Sequence, residues 1–597
     1  MSVLQALNGY YERQASRGKL PAYGFSKQGI SFAVVLDVGG HVLDVMDVRD
    51  TTGKKPRPGV REVPGPVERS VNVRPNFLWD NTAYAFGVRK NVQTGSAVTA
   101  KRGEHDAFVS FHRDLLADTE DGGLRALLAF LEDWSRDRYE ALPHSEEMLG
   151  ENVAFCLDLP GGPPAFLHDS EAAREIWTGR LEGEDTEQEF CLVTGKRLPA
   201  ARLHPKIKGV QGAQTAGASI VSFNNDAFTS FGKKQGGNAP VSKRAAFAYT
   251  SALNTLLARN SRNRMRIGDT TTVFWAEADG DPESAEAAED LFSMLVAPPT
   301  DEGETAAVRD MIEAVAAGRP LSDVRPQIQD PERTRFFVLG LAPNAARLSV
   351  RFWLEDSIGR IGERLGEHWK DLRIEPEPWR TPPAIWRLLR ETAVQGKSEN
   401  VPPVLGGALM DAILRGGRYP RSLLTGVLMR MRSDGNTKDY QVGLRAAICK
   451  ACLARDARLG HQKEGIPVSL NQDEKNAAYR LGRLFALYEG VQRAALGNVN
   501  ATIKDKFYGS ASATPASVFP MLARTSAHHL ATIRKDKGGL AVRYERQLDE
   551  VFDGFETEFP RSLGIEDQGR FTIGYYHQRA KLYEGKSASD SAQAQED

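Results

Sequence analysis

Hydrophobic positions along this chain switch between strand-length runs and helical spacing. Leu4, Leu7, Tyr10 and Tyr11 recur at helical intervals and predict a short helix within residues 1–22. Ile30–Leu36 and His41–Val48 read as strands, joined in a hairpin at Asp37-Val38-Gly39-Gly40. Residues 107–142 return to helical spacing with a break at Gly122-Gly123, and Val153–Leu159 reads as a strand. Further strands are expected at Thr270–Ala276, Arg335–Leu341 and Ala346–Trp353, the last two joined across Pro343-Asn344. The acidic section 277–304 and the alanine-rich helix after it read as an exposed insertion.

From about residue 380 the pattern becomes a succession of amphipathic helices. Asn471 and Glu474 have the spacing of a capping box, ahead of a helical face of Leu481, Leu484, Phe485, Tyr488 and Val491. The expected class is therefore α+β: a mixed α/β N-terminal domain with short antiparallel strands, followed by an all-α C-terminal helical bundle. The boundaries read as 1–380 for the N-terminal domain, 381–470 for a helical connecting region and 471–585 for the bundle. The small, polar residues 586–597 read as a disordered tail.

Composition narrows the class without changing it. A chain of 597 residues, 41% hydrophobic and 26% charged, is expected to be a soluble protein of more than one domain. No run approaches the roughly 20 apolar residues of a membrane helix. The N-terminus lacks a signal-peptide pattern, so a cytoplasmic location and no membrane partner are expected. Four cysteines are too few for a disulfide framework, and the Cys449/Cys452 pair reads as a buried helix face rather than a metal site.

Charge is less evenly spread. Arg197–Gly268 holds twelve basic residues against the single acid Asp226, a formal +11, whereas Glu277–Glu304 holds ten acids and no base. Such a concentration suits a polyanion. Inside it, Gly232-Lys233-Lys234-Gln235-Gly236-Gly237-Asn238 forms a flexible cationic loop, and Pro240 and Ser242 lead from it into a helix. Thr51–Arg74 reads as an irregular, proline-punctuated arm that carries Lys54, Lys55 and Arg57. Asn76 follows, with an amide able to donate and accept at a base edge.

No phosphate-binding GxxxxGK[ST], HExxH or GxSxG pattern is present. The cluster His105, Asp106, His112 and Asp114 is the nearest approach to a metal-dependent nuclease site, but it lacks the further spaced ligands such sites need. A non-catalytic binding protein with no cofactor and no metal is the expectation. A nuclease and a generic nucleic-acid scaffold are the alternatives.

Seven separated blocks carry a more specific signal. They are YGFSKQGISFAVVLD (23–37), GKKPRP (53–58), PNFLWDNTAY (75–84), the long block 201–257, GRYPRSLL (417–424), YGSASATPASVFP (508–520) and EDQGRFTIGYYHQR (566–579). Together they resemble the large subunit of the type I-C (Dvulg subtype) CRISPR interference complex, Cascade. The resemblance implies a subunit beside the 5′ tag of the guide RNA that recognises the protospacer-adjacent motif in double-stranded target DNA. It also implies that the subunit promotes duplex opening and helps recruit the helicase–nuclease. Its other partners would be the Cascade backbone, guide-processing and small subunits.

Carried onto this chain, Lys54, Lys55 and Arg57 would grip phosphates, with Asn76 at base edges. The Gly232–Asn238 loop would be a wedge, with Lys233 and Lys234 on phosphates and Gln235 inserted at the first unpaired step. Gly236 belongs to the same loop, and Asn224 and Asn238 would supply amide contacts. In the C-terminal bundle Lys504, Lys506, Arg524, Lys535, Arg570 and Arg579 would meet backbone phosphates. The resemblance further implies small subunits translated internally from the same frame. No methionine lies between Met431 and Met521, so a non-standard start near Val468 or Leu470 is expected.

Overall fold

The computed structural model describes the chain apart from Lys54, Glu68, residues 70–72, Val92, Lys101, Arg102, 184–187, Thr300, Asp301, 435–436, 498–500, 556–557 and 594–597, and apart from the side chains of 302–304 and 584–593. Two compact units divide it: Met1–Ile207 with Ser219–Thr255, and Lys208–Ala218 with Leu256–Asp597. This division follows contacts, whereas the expected boundary near 380 follows a change from mixed to helical character.

In the first unit the main sheet runs Val42–Asp47, Phe32–Leu36, Asn152–Leu157, Trp79–Asn81, with Ala165–Phe166 also paired to Asn152–Leu157. Phe32–Leu36 and Asn152–Leu157 are parallel, and both are covered on two faces, which is why each reads as a continuous apolar run. The expected hairpin forms between Phe32–Leu36 and Val42–Asp47. Asp37 Oδ1 closes it by accepting from the backbone of Gly39 and His41, each at 2.8 Å. Helices Glu104–Leu116 and Gly122–Asp133 pack Phe108, Leu124, Leu127 and Phe130 against Phe32, Val34 and Phe155. Asp121 caps the second helix through Leu124 N at 2.9 Å, which places the break where the glycine pair suggested it.

A separate antiparallel ribbon pairs Phe25–Ile30 with Gly59–Pro64. Part of the expected irregular arm is thus a strand. Its partner lies some thirty residues upstream, beyond the reach of local pattern.

In the second unit Arg264–Ile267, Thr270–Glu277, Arg335–Asn344 and Arg347–Ser357 form a four-stranded antiparallel meander. The acidic section is not the exposed insertion expected. Pro282–Val296 is a helix that buries Ala287, Ala288, Leu291, Phe292, Leu295 and Val296 beside Phe274 and Phe336 of the sheet, while Glu283 and Glu286 face solvent. The section is rich in acids, but the apolar stripe on the other face decides the packing.

Helices follow to the C-terminus, the last five being Ala477–Leu496, Ile503–Ala513, Pro515–Asp536, Gly538–Phe552 and Ile565–Gln593. The first of these begins later than the capping-box spacing suggested. Asn476 caps it through Ala478 N and Tyr479 N, while Asn471 accepts from Asp473 N in a turn of its own. Ile565–Gln593 runs into the expected tail, whose final four residues lie outside the described residues.

The first and last helices of the bundle meet through two glycines. A Cβ at Gly482 would lie 2.1 Å from Phe571 O, and one at Gly574 would lie 2.1 Å from Tyr479 O. Both obstacles are backbone, so neither side can yield by a rotamer change. Gly482→Ala is therefore expected to lower stability by about 1–3 kcal/mol or more. Gly417→Ala, where nothing lies within 4 Å, should stay within about 0.5 kcal/mol. Denaturant unfolding of the two variants beside the parent chain checks the difference.

Candidate nucleic-acid interface

Between the strand Arg197–Pro199 and the helix Lys243–Leu256 the chain forms only two single-turn 3-10 helices, Asp226–Phe228 and Gln235–Asn238. Its two ends are pinched together: Ala201 N donates to Val241 O at 2.8 Å, and Ala200 bridges Ser242. Ser242 also caps the helix, its Oγ accepting from Ala245 N at 3.2 Å. Cys191 lies beneath this pinch and accepts from Ser242 N at 3.2 Å. Burial raises the Cys191 thiol, but hydrogen bonds from Thr194 and Ser242 outweigh it and bring the thiol down to about 7.

From Ala201 every third residue is buried: Ala201, His204, Ile207 and Val210. Arg202, Lys206 and Lys208 lie exposed between them, so the segment presents cations while its apolar positions anchor it. His204 Nδ1 is 2.7 Å from the Tyr249 hydroxyl, and burial holds its ring down to about 4, hence neutral. Lys206 donates to Ser219 Oγ at 3.1 Å, and Asn254 donates to Lys206 O at 3.1 Å.

The Gly232–Asn238 loop is an ordered turn. Lys233 N donates to Ser230 O at 2.9 Å, and the residues between them, Phe231 and Gly232, have φ of +51° and +72°. Two successive positive φ values match the type I′ hairpin turn, in which the first position normally goes to Asn, Asp or Gly. Phe231 occupies it instead, and its side chain is 100% exposed. The left-handed backbone costs about 1–3 kcal/mol. Leaving the ring in water forgoes about 1.5–3 kcal/mol of burial. Lys233 and Lys234 follow, both exposed.

Asn238 holds this turn from within. Its Oδ1 accepts from Ser230 N, and its Nδ2 donates to Lys233 O and Gln235 O, all at 3.0 Å. The amide expected to contact nucleic acid is thus engaged inside the loop. Gly236 likewise serves packing: it is buried, its N donates to Arg202 O at 3.1 Å, and a Cβ there would lie 2.1 Å from Ala201 O. Gln235, expected to insert, is half-buried with φ +46°, and Asn224 is exposed. The tip of the loop is Phe231, to which the sequence reading assigns no role. The available signal was a bulky residue before Gly-Lys-Lys, outside any alternating pattern.

The arm turns at the Ile30–Gly59 end of the ribbon. Asp50 and Arg57 exchange backbone hydrogen bonds of 2.8 and 3.0 Å, and the Asp50 carboxylate accepts from Thr52 N and Oγ1. Lys55 and Arg57 are exposed, and Lys54 lies outside the described residues. Phe247 of the Lys243–Leu256 helix packs on Tyr23, just beyond the opposite, Phe25–Pro64 end (ring centroids 5.5 Å apart). The ribbon's five residue steps, about 17 Å, lie between its ends.

Asn76 differs from the expectation. It is buried, with Oδ1 accepting from Val67 N at 3.1 Å and its own N donating to Asp80 Oδ2 at 2.9 Å. Arg69 forks onto both Asp80 oxygens, donates to Arg74 O and lies over the Tyr84 ring at 4.0 Å. Asn76 and Arg69 together pin the segment that follows the ribbon.

In the C-terminal bundle Lys506, Arg524 and Lys535 are exposed. Lys504, Arg570 and Arg579, expected at phosphates as well, are buried. Burial lowers the Lys504 ammonium to about 8. Arg579 donates to Asp439 at 2.6 Å, and Arg570 donates to Gln462 Oε1 at 3.1 Å and lies 3.5 Å from Glu464.

The nuclease-like cluster does not assemble. His112 is wholly buried, with Leu78 N donating to Nε2 at 2.9 Å and Nδ1 2.8 Å from Phe108 O. Both ring nitrogens are in use, and burial depresses the ring to about 4. His105 Nδ1 is 2.9 Å from Tyr84 O. Among the described residues no group of three or more His, Cys, Asp or Glu is placed to hold a metal ion. No described helix is long and apolar enough to cross a membrane.

Asn238→Ala removes three hydrogen bonds worth about 0.5–1.5 kcal/mol each. Tryptic cleavage after Lys233 or Lys234 should accelerate about tenfold or more. Mass spectrometry of timed digests reads this. An unaltered rate would mean that something other than the amide shapes the loop.

Comparison with known proteins places the chain in a group. No curated protein matches it. The family model for CRISPR-associated protein (Cas_Csd1) matches residues 7–583, which takes in the arm, the loop and nearly all of the helical C-terminal region. The chain belongs to the Cas_Csd1 family of CRISPR-associated proteins.

Proposed function

We propose that this chain is the non-catalytic large subunit of a type I-C Cascade, which recognises the motif beside the target in double-stranded DNA and promotes duplex opening for guide RNA pairing. The observation that carries the reading is the family match over residues 7–583 on a chain whose ordered, exposed loop bears Lys233 and Lys234. In such a complex base pairing reads the sequence, while protein reads the short adjacent motif and holds backbones. Lys55 and Arg57 grip phosphates from the arm, and Lys233 and Lys234 do so from the loop. Asn76 and Arg69 support the arm from behind. The helicase–nuclease is recruited afterwards.

Gel shifts of the assembled complex on matched targets, with and without the adjacent motif, test this. Lys55→Ala, Arg57→Ala and Lys233→Ala should each weaken binding to all DNAs alike and lower the salt slope by about one. A complex that binds both targets equally would be a generic scaffold, and the motif-reading assignment would fall.

We also propose that the bundle from about Val468 to the C-terminus is made separately as a small subunit. Met521 lies inside the helix Pro515–Asp536, so a start there would split that helix and omit Ala477–Leu496 with its Gly482 contact. Intact-mass measurement of the purified complex should find a product beginning near Val468 or Leu470. Full-length chain alone would end the idea.

A further inference from the structure

We infer that Phe231 is the opening residue of the loop, a side chain that enters the duplex beside the motif and stacks on the base pair left at the edge of the opened strand. The inference rests on the reading that this chain binds and opens target DNA. It departs from the sequence-based choice of Gln235, which is half-buried behind the tip.

Three observations point to the ring. Phe231 is 100% exposed, at the apex of a two-residue turn. Its φ of +51° is a conformation that a glycine would adopt freely, so nothing in the fold calls for an aromatic there. And the turn is held by the Asn238 amide and the Lys233 N–Ser230 O bond, so the ring is carried on a shaped support.

The neighbours select the partner. Lys233 and Lys234 directly follow the ring and are exposed. In the whole stretch from Arg197 to Gly268 the only acid is Asp226. An aromatic beside cations suits a base flanked by phosphates, because the ring takes the flat face while the ammonium groups meet the backbone. A protein pocket would need acids to match the same pair.

The test uses the assembled complex with Phe231→Gly and Phe231→Trp. Glycine suits the positive φ and keeps the turn, so a loss in that variant belongs to the ring. Opening is followed by 2-aminopurine fluorescence at the first pair beyond the motif. Phe231→Gly should slow opening of a full duplex about 5- to 100-fold, the range that one stacked base supports. It should leave binding to a target with a mismatched bubble at that step near the parent value, and Phe231→Trp should restore opening.

Opening by Phe231→Gly at the parent rate, with motif discrimination intact, would overturn the role of Phe231 alone. A complex that fails to discriminate the motif even with Phe231 present would overturn the underlying reading. If Phe231→Gly lost co-purification with the other subunits, the ring would be a protein anchor and the inference would be wrong.

Discussion

Backbone polar groups must be paired wherever the chain leaves regular structure, and between Pro199 and Lys243 that requirement governs everything else. A few side chains and backbone contacts do the work of a ladder. Cys191 and Ser242 close the base, Asn254 holds Lys206 O, and Asn238 holds both ends of the tip. Gly236 brings the tip against Ala201 and Arg202. The consequence is a long irregular segment whose shape is set before any ligand arrives, so less entropy is lost on binding than an unstructured lysine loop would lose.

The C-terminal helices solve a different problem. Their core carries ions as well as hydrocarbon: Glu489 receives Tyr575 OH at 2.6 Å and Arg493 at 2.8 Å, and Arg445 reaches Glu391 and Asp434 at 2.8 and 2.7 Å. A buried pair adds little net stability, but breaking one leaves an uncompensated charge. Such pairs fix which helix faces which. Gly482 and Gly574 set how closely the first and last helices approach, while Arg579 is tied to Asp439 and Arg570 to Gln462.

What could be read from the sequence follows from how local each cause is. The α+β class, the Asp37 hairpin, the break at Gly122-Gly123 and the helix after Ser242 rest on neighbouring residues and are found where expected. The strand Gly59–Pro64 depends on a distant partner, and burial of the acidic helix depends on a sheet that closes after it. The site shows the same divide. Exposed Lys55, Arg57, Lys233 and Lys234 lie where composition put them. An amide suits a base edge, as expected of Asn76, or a nucleic-acid contact, as expected of Asn238, but it satisfies a stray backbone group equally well, and only the fold reveals that these two do so. Phe231 was hidden for the opposite reason: an aromatic is by default packed.

This inversion, amides inside and aromatic outside, would give the loop of the proposed subunit two separable handles on a polyanion. Phosphate attraction through Lys233 and Lys234 would release counterions and weaken as salt rises, indifferent to whether the duplex is closed. A ring at the apex gains only from a base face, which a closed duplex does not offer at that step, and its gain depends little on salt. On the proposed function the lysines would set how long the loop stays on DNA, and the ring would bias the opened state against the closed one. A loop with lysines alone would hold both states equally and shift nothing, however tightly it bound. On that reasoning the shaped turn and the exposed ring belong together, since an aromatic on a slack loop would fold back onto the protein surface before it met a base.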